Sequence, residues 1–391
     1  MMFLVSTAKG KFESYGASYY LEPITYPEVN ISNILVVEDS LGKRILRTCP
    51  HMVQAIFQAE KIPGFPSGHA RIQDIMENSK VIILRGGGIG DLILFLPALK
   101  VFKRMLPGGV KLSLATFREK MSLFKGLDDI DELLPMPIRM SDIIGTDYCM
   151  EFSSRFDLFR TIHMTDYYLT LMGIEPESIE KDLKEPRLSI KSAGSVNILQ
   201  KIEGLKKRWE KVIYVNTGAT DIIRRLPPEV IVKTARYFPQ LAFLLPSQLW
   251  TSLQNPSPNL LPIDTEGSLE AYTSAIMASD AVISSDSSAY HIAAAFRKPA
   301  IAIFGPVASR LRTAYYSTVH PIDAQYLGQV CQSPCGLSTV TELAHSNLSP
   351  YFKSADRCPE AVVKGTHYSP CLLSVSVDRI IEAFSKVIAC N

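Results

Sequence analysis

The chain has 391 residues, 47% of them hydrophobic and 20% charged, enough apolar material for more than one core, so two folded units are expected. Its formal net charge of +2, with Lys and Arg interspersed among Asp and Glu, gives no electrostatic footprint for nucleic acid. The densest basic cluster, Lys206, Lys207, Arg208 and Lys211, reads as the solvated face of a helix. The opening MMFLVSTAKGKFESYG lacks a basic n-region and has too short an apolar run for a signal peptide. The longest apolar stretch, LILFLPAL, is far below the roughly 18 residues a membrane span needs. A soluble, cytoplasmic protein is expected, whose seven cysteines are buried hydrophobes or metal ligands rather than disulfides.

In chain order, residues 1–78 read as a small β-rich extension. NILVVEDSLGKRILRT, with its DSLGK turn between two β-like runs, suggests a hairpin. From Lys80 the pattern becomes strand, glycine turn and helix: KVIILRGG, then DLILFLPALKVFKRML, then VKLSLATF, a helical REKMSLFKGL, and DELLPMP. Alternation of this kind implies a parallel sheet with right-handed crossovers, an α/β unit over residues 79–200. The polar, lysine-rich SIKSAGSVNILQKIEGLKKRWE reads as the boundary with a second unit, residues 201–391. That unit runs through KVIYVNTGAT, PPEVIVKTARYF and LAFLLPS to SLEAYTSAIMASDAVISSDSSAYHIAAAFRKPAIAIFGP. Two doubly wound halves of this kind are expected to face one another across a ligand cleft at the carboxyl ends of their strands.

The glycine loop fits neither common phosphate fingerprint. Gly86 and Gly88 occupy the first two positions of the dinucleotide motif, but the third falls on Asp91, and no Gly-Lys-Ser/Thr follows. What remains is Gly86, Gly87, Gly88 and Gly90 at a strand-to-helix turn, where backbone can approach a ligand closely. Asp91 there is a helix N-cap, a general base for an acceptor hydroxyl, or both. In SSDSSAYHIAAAF, Asp286, Ser287 and Ser288 occupy the turn after a strand and His291 the next helix, which suits a diphosphate and ribose or, more blandly, a capped helix. NTGATDIIRRLPPE sets Arg224 and Arg225 beside a hydroxyl-rich turn from Thr217 to Thr220, where an arginine fork can meet a leaving phosphate. Cys331, Cys335, Cys358 and Cys371 cluster late in the chain, spaced more loosely than a zinc ribbon, and read as a tetrahedral structural site for zinc or iron or as free buried thiols.

GGGIGDLILFLPALK, NTGATDIIRRLPPE and SDAVISSDSSAYHIAAAFRKPAIAIFGP together resemble glycosyltransferase family 9, the ADP-heptose:lipopolysaccharide heptosyltransferase group, over roughly residues 80–380. The resemblance implies a GT-B architecture of two Rossmann-like domains, the donor nucleotide-sugar held mainly by the second and the acceptor by the first. It also implies inverting chemistry with no catalytic metal. The family's base falls on Asp91, its donor-site lysine on Arg224, with Leu226 where tryptophan is usual, and its phosphate-side threonine on Thr220. Its Asp-Thr-Gly turn and following histidine fall on Asp286, Ser287, Ser288 and His291. The replacement of glycine by Ser288 and of lysine by Arg224 leaves the donor's identity open.

The N-terminal extension and the late cysteines also look like the branch that heptosylates autotransporter proteins, in which cysteine-bound iron is implied. The expected function is therefore transfer of a sugar, a heptose by resemblance, from a nucleoside-diphosphate donor, ADP-heptose favoured, to a hydroxyl of a glycan, a lipopolysaccharide core or a protein. Protein O-heptosylation of an autotransporter is one alternative, and a non-catalytic nucleotide-sugar binding or assembly protein on the same fold is another. Peripheral membrane contact stays open, as does oligomerisation through the N-terminal extension.

Overall fold

The structure is a computed structural model. It describes residues 2–6, 10–14, 17–21, 34–37, 46–47, 51 and 53–57 and, from Ala70, every residue to 389 except 137, 153–160, 254, 266 and 337–357. Contacts divide the chain into two units, one of Met1–Gly88, Ala98–Arg155 and Tyr168–Ser178, the other of Ile89–Pro97, Phe156–Tyr167 and Ile179–Asn391.

The first unit opens with strands β1 (Met2–Ser6), β2 (Gly10–Ser14), β3 (Ala17–Leu21), β4 (Ile34–Val37) and β5 (Val53–Phe57). The antiparallel hairpin here is β2 with β3. The turn expected at DSLGK lies outside the described residues; the run before it forms β4, which pairs antiparallel with β1, and Leu46 and Arg47 are helical. The other neighbour of β4 is a short strand from far along the chain, β9 (Ile138–Arg139). Between them the chain makes β6 (Lys80–Leu84), the helix α1 (Ile89–Met105), β7 (Lys111–Phe117) and β8 (Glu132–Met136), and β10 (Tyr148–Glu151) follows. These strands form a parallel sheet in the order β10-β6-β7-β8. Val81, Ile82, Ile83 and Leu84 are all buried, as a strand covered on both faces requires. The order reverses beside β6, so its glycine turn lies at the sheet's topological switch point.

The second unit is a six-stranded parallel sheet of β11 (Val212–Asn216), β12 (Ala242–Pro246), β13 (Leu260–Ile263), β14 (Ala281–Ser285), β15 (Ala300–Phe304) and β16 (Val319–Asp323). Its order, β13-β12-β11-β14-β15-β16, is the doubly wound 3-2-1-4-5-6 arrangement, with the switch point between β11 and β14. The helices α2 (Val196–Lys206), α3 (Pro228–Tyr237), α4 (Leu269–Ala278), α5 (Ser288–Ala295), α6 (Arg310–Thr313), α7 (Pro359–Lys364) and α8 (Val377–Ala389) connect or cover these strands. The stretch read as a polar boundary is in fact largely α2, which buries Ile198 and Ile202 and packs against α4.

Packing in this unit is apolar in the middle and hydrogen-bonded at the helix ends. Phe384 of α8 is fully buried and meets Phe238 edge-on at 5.4 Å. Asn259, 3% exposed, donates its amide to the carbonyls of Ala235, Phe238 and Leu241 at 2.9, 2.9 and 2.8 Å. One side chain thus satisfies the orphan end of α3 and the turn leading into β12.

Candidate functional site

The loops after β11 and β14 flank the switch point of the second sheet and are tied to each other. Asn216, ending β11, donates from Nδ2 to Ser287 Oγ at 2.9 Å and accepts at Oδ1 from the Gly218 amide at 3.1 Å. Ser285 Oγ donates to the Gly218 carbonyl at 2.7 Å. Ser284 and Ser287 share a hydroxyl contact of 2.9 Å, and Ser288 one of 3.1 Å with Tyr272. Ser287 stands at the N-cap of α5 in extended conformation, but its hydroxyl makes no cap bond. The hydroxyls are spent on cross-linking the loops, and the first amides of α5 keep the anion-binding character of a helix start.

Arg224 reaches into this turn. It pairs with Asp221 at 3.0 Å and Asp286 at 3.6 Å, and donates from Nη1 to the Asp286 carbonyl at 3.2 Å. Burial works against its charge, but the carboxylates of Asp286 and Asp221, joined by Tyr290 and by Asp91, outweigh that and raise its pKa. Asp286 is 3% exposed and accepts from the Tyr290 hydroxyl at 3.1 Å. Arg224 is therefore present where the resemblance puts it, yet already neutralised by two carboxylates.

Asp91 belongs to this unit by its contacts. It is the third residue of α1, inside the first turn rather than at the N-cap, and half-buried. The helix start favours a carboxylate there. One residue earlier, a Cβ on Gly90 would lie 2.8 Å from Cδ2 and 3.2 Å from Nε2 of His291, so the imidazole packs directly on the backbone that presents Asp91. His291 is 4% exposed, shares a 2.6 Å hydrogen bond between Nδ1 and the Tyr316 hydroxyl, and stacks on Tyr290 at 4.0 Å. Burial, then Arg312, His163 and Arg224, push its pKa well below the usual imidazole value, so the ring is neutral. His291 thus serves the loop of Asp91 at least as directly as it serves a donor.

The remaining loop residues separate. Gly87 takes φ +112°, a conformation open mainly to glycine, with the Arg85 guanidinium against it. Gly88 is exposed. Thr220 is exposed at the tip of its loop, with no polar contact recorded among the described residues.

The sequence reading passed over several neighbours. His163 is buried, its pKa lowered to about 4 chiefly by desolvation, and its ring meets Tyr315 at 4.5 Å. Tyr315 donates to Asp166 at 2.5 Å, and Asp166 pairs with Lys184 at 2.8 Å. Arg312 stands close enough to shift both histidines. None of these lies in a glycine- or hydroxyl-rich turn, the signal that marked the other loops.

Cys331, Cys335, Cys358 and Cys371 all line one cavity of about 10 Å³, room for about one water-sized sphere, shared with Ile223 and Pro306. All four are free thiols, and among the described residues no set of three or more His, Cys, Asp or Glu is drawn together as a ready metal group. Burial and then the neighbouring thiols raise Cys331 to about 11 and Cys371 to about 12. Glu360, fully buried, accepts from the amides of Gln329 and Val330 at 2.9 and 2.8 Å, and so fixes the Cys331 loop to α7. A soft, four-sulfur donor set around one small void fits zinc or iron chemically.

Two doubly wound parallel sheets in one chain, with candidate loops at their switch points, define a GT-B-type α/β protein. Residues 247–333 match the model of glycosyltransferase family 9 (heptosyltransferase), which supports a glycosyltransferase as the class of enzyme. Comparison with curated protein sequences finds no match. Among solved structures, the fold is similar to ADP-heptose LPS heptosyltransferase II of E. coli, at 13% identity and TM-score 0.57, covering 79% of this chain and 98% of that one. It is similar as well to a glycosyltransferase family 9 protein of Veillonella parvula DSM 2008, at 13% and 0.56, covering 81% and 98%. A third is TibC of enterotoxigenic E. coli H10407, an iron-containing dodecameric glycosyltransferase, at 14% and 0.57, covering 81% and 78%. TibC has also been solved with ADP-D-β-D-heptose.

Proposed function

We propose that the protein transfers a heptose from ADP-heptose to an acceptor hydroxyl with inversion, using Asp91 as general base. The observation that carries this is the meeting, within one unit, of Asp91 at a helix start with the cross-linked loops of Arg224 and Ser287–Ser288 at the sheet's switch point. Asp91 takes the acceptor proton as the acceptor oxygen attacks the anomeric carbon and the bond to the nucleoside diphosphate breaks. The start of α5 and the arginines around it meet the charge that builds on the departing phosphate, which is the larger electrostatic effect. Thr220 is exposed at its loop tip, which leaves its hydroxyl open to a donor phosphate.

Thermal melting against nucleoside diphosphates and nucleotide sugars tests the donor. A ligand at 100 times its dissociation constant adds about 2.7 kcal/mol, and selective stabilisation by ADP and ADP-heptose is expected. Equal melting with every nucleotide would instead favour a binding or assembly protein that has lost its donor site.

The four cysteines around one void support a resident structural metal, and a similar structure, TibC, is iron-containing. Cys331, Cys335, Cys358 and Cys371 would hold the metal, which would supply a structural cross-link and no step of transfer. Purified protein is expected to hold near one equivalent of zinc or iron by elemental analysis, and Cys358→Ser to lose it together with thermal stability. Metal-free protein with unchanged melting would leave the cysteines as plain buried thiols.

A further inference from the structure

Around the proposed donor site, the distribution of charge leaves one requirement unmet. Arg224 is surrounded by Asp221 at 3.0 Å and Asp286 at 3.6 Å and lies within the field of Asp91. The group carries more negative than positive charge. A multiply charged diphosphate entering here meets net repulsion unless another cation takes part.

Two further arginines are near. Arg225 is exposed, donates to the Ala219 carbonyl at 2.9 Å, and lies within the field of Tyr368. Arg312, on α6 just beyond the end of β15, is half-buried; β15 runs beside β14 as far as the Ser285–Ile303 pair, and Tyr316, four residues on, is bonded to His291 of α5, so the charge of Arg312 falls on His291, His163, Tyr290 and Tyr316. Among the described residues it forms no ion pair, and its recorded hydrogen bond is from Nη1 to the Leu311 carbonyl at 3.2 Å. The rings around it carry no charge to balance it, and Tyr316 is held by His291 at 2.6 Å. A guanidinium in that setting keeps most of its donors available, and its planar fork suits bidentate contact with phosphate oxygens.

We infer that Arg312, rather than Arg224, is the cation that anchors the donor's diphosphate, with Arg224 acting as a strut that orders the loop of Asp286. This inference rests on the nucleoside-diphosphate reading of the site.

The test uses the full-length protein, with inorganic pyrophosphate and ADP as probes in calorimetry. Arg312→Ala is expected to weaken both about 10- to 100-fold, the effect of removing a charged hydrogen-bonding group. Arg310→Ala takes the same charge from the exposed side of α6 and is expected to leave both affinities unchanged. Arg312→Lys should restore part of the loss. Should Arg312→Ala fail to fold by its melting curve, Arg312→Gln gives the same comparison with nearly the same volume. Unchanged affinity in a folded Arg312 variant overturns the inference while leaving the donor reading intact. If the wild-type chain binds neither probe, the donor reading itself fails and the inference goes with it.

Discussion

Asp91→Asn is expected to give a folded protein that binds donor nucleotide as the wild type does and has lost transfer by about 10²- to 10⁴-fold, the usual contribution of a positioned base. The substitution keeps the side chain's size and removes its ability to hold a proton. Asp91 sits inside the first turn of α1, where its carboxylate also faces the positive end of the helix. The cost in stability is the modest one of losing a carboxylate near a helix start, about 0.3–1 kcal/mol. Parallel measurement of nucleotide affinity, melting temperature and transfer rate separates the two roles. Turnover within a few-fold of wild type would assign the proton to another group, and an equal fall in binding and rate would make Asp91 a ligand rather than a base.

Gly90→Ala is expected to damage both the stability and the geometry of the loop that carries Asp91. Its Cβ would stand 2.8 Å from a ring that has nowhere to go, because His291 is wedged between Tyr290 and the hydrogen bond to Tyr316. Overpacking of this kind costs about 1–3 kcal/mol. Any relief through the backbone moves Asp91, and a displacement of about 1 Å at a reacting group can lower rate on the order of 10²-fold. Adding His291→Ala to the same chain should recover much of the stability, while Gly204→Ala, in α2 with nothing within 4 Å of its new methyl, should stabilise by roughly 0.5–1 kcal/mol. Denaturant melts of five proteins, with His291→Ala alone added, check this; additivity of the Gly90 and His291 changes would show that the ring and the loop do not press on each other.

What could be read in the sequence was what local chemistry decides. A buried strand ending in glycines and followed by an apolar helix specifies the β6–α1 turn, and the strand, hydroxyl turn and helix of residues 281–295 are equally local. Residues 189–210 misled because Lys, Glu and Gln are polar and also good helix formers. The spacing of Ile198 and Ile202, one turn apart, is the sign of α2 that charge concealed. The pairing of β4 with β9 joins residues about a hundred positions apart through two residues of the partner, too short for any alternation to announce. The site suffered most from distance. The ion pair of Arg224 with Asp221 has no sign in the spacing of NTGATDIIRRLPPE, and nothing near His291 in the chain reveals that Gly90 will be its floor. Arg312 follows the last recognisable motif by a few residues and looks like ordinary surface charge until its neighbours prove to be uncharged rings.

The cysteine segment touches the donor loops from behind. Ser369 Oγ donates to the Ile223 carbonyl at 2.7 Å, Ile223 packs with Cys358 and Ala361, and Cys371 lies where a side chain on Gly305 would be, at the end of β15. The thiols and the proposed donor site are therefore mechanically in series. A reagent that alkylates or oxidises these thiols would reach Arg224 through one residue, Ile223, and would slacken the loop without entering the proposed nucleotide site.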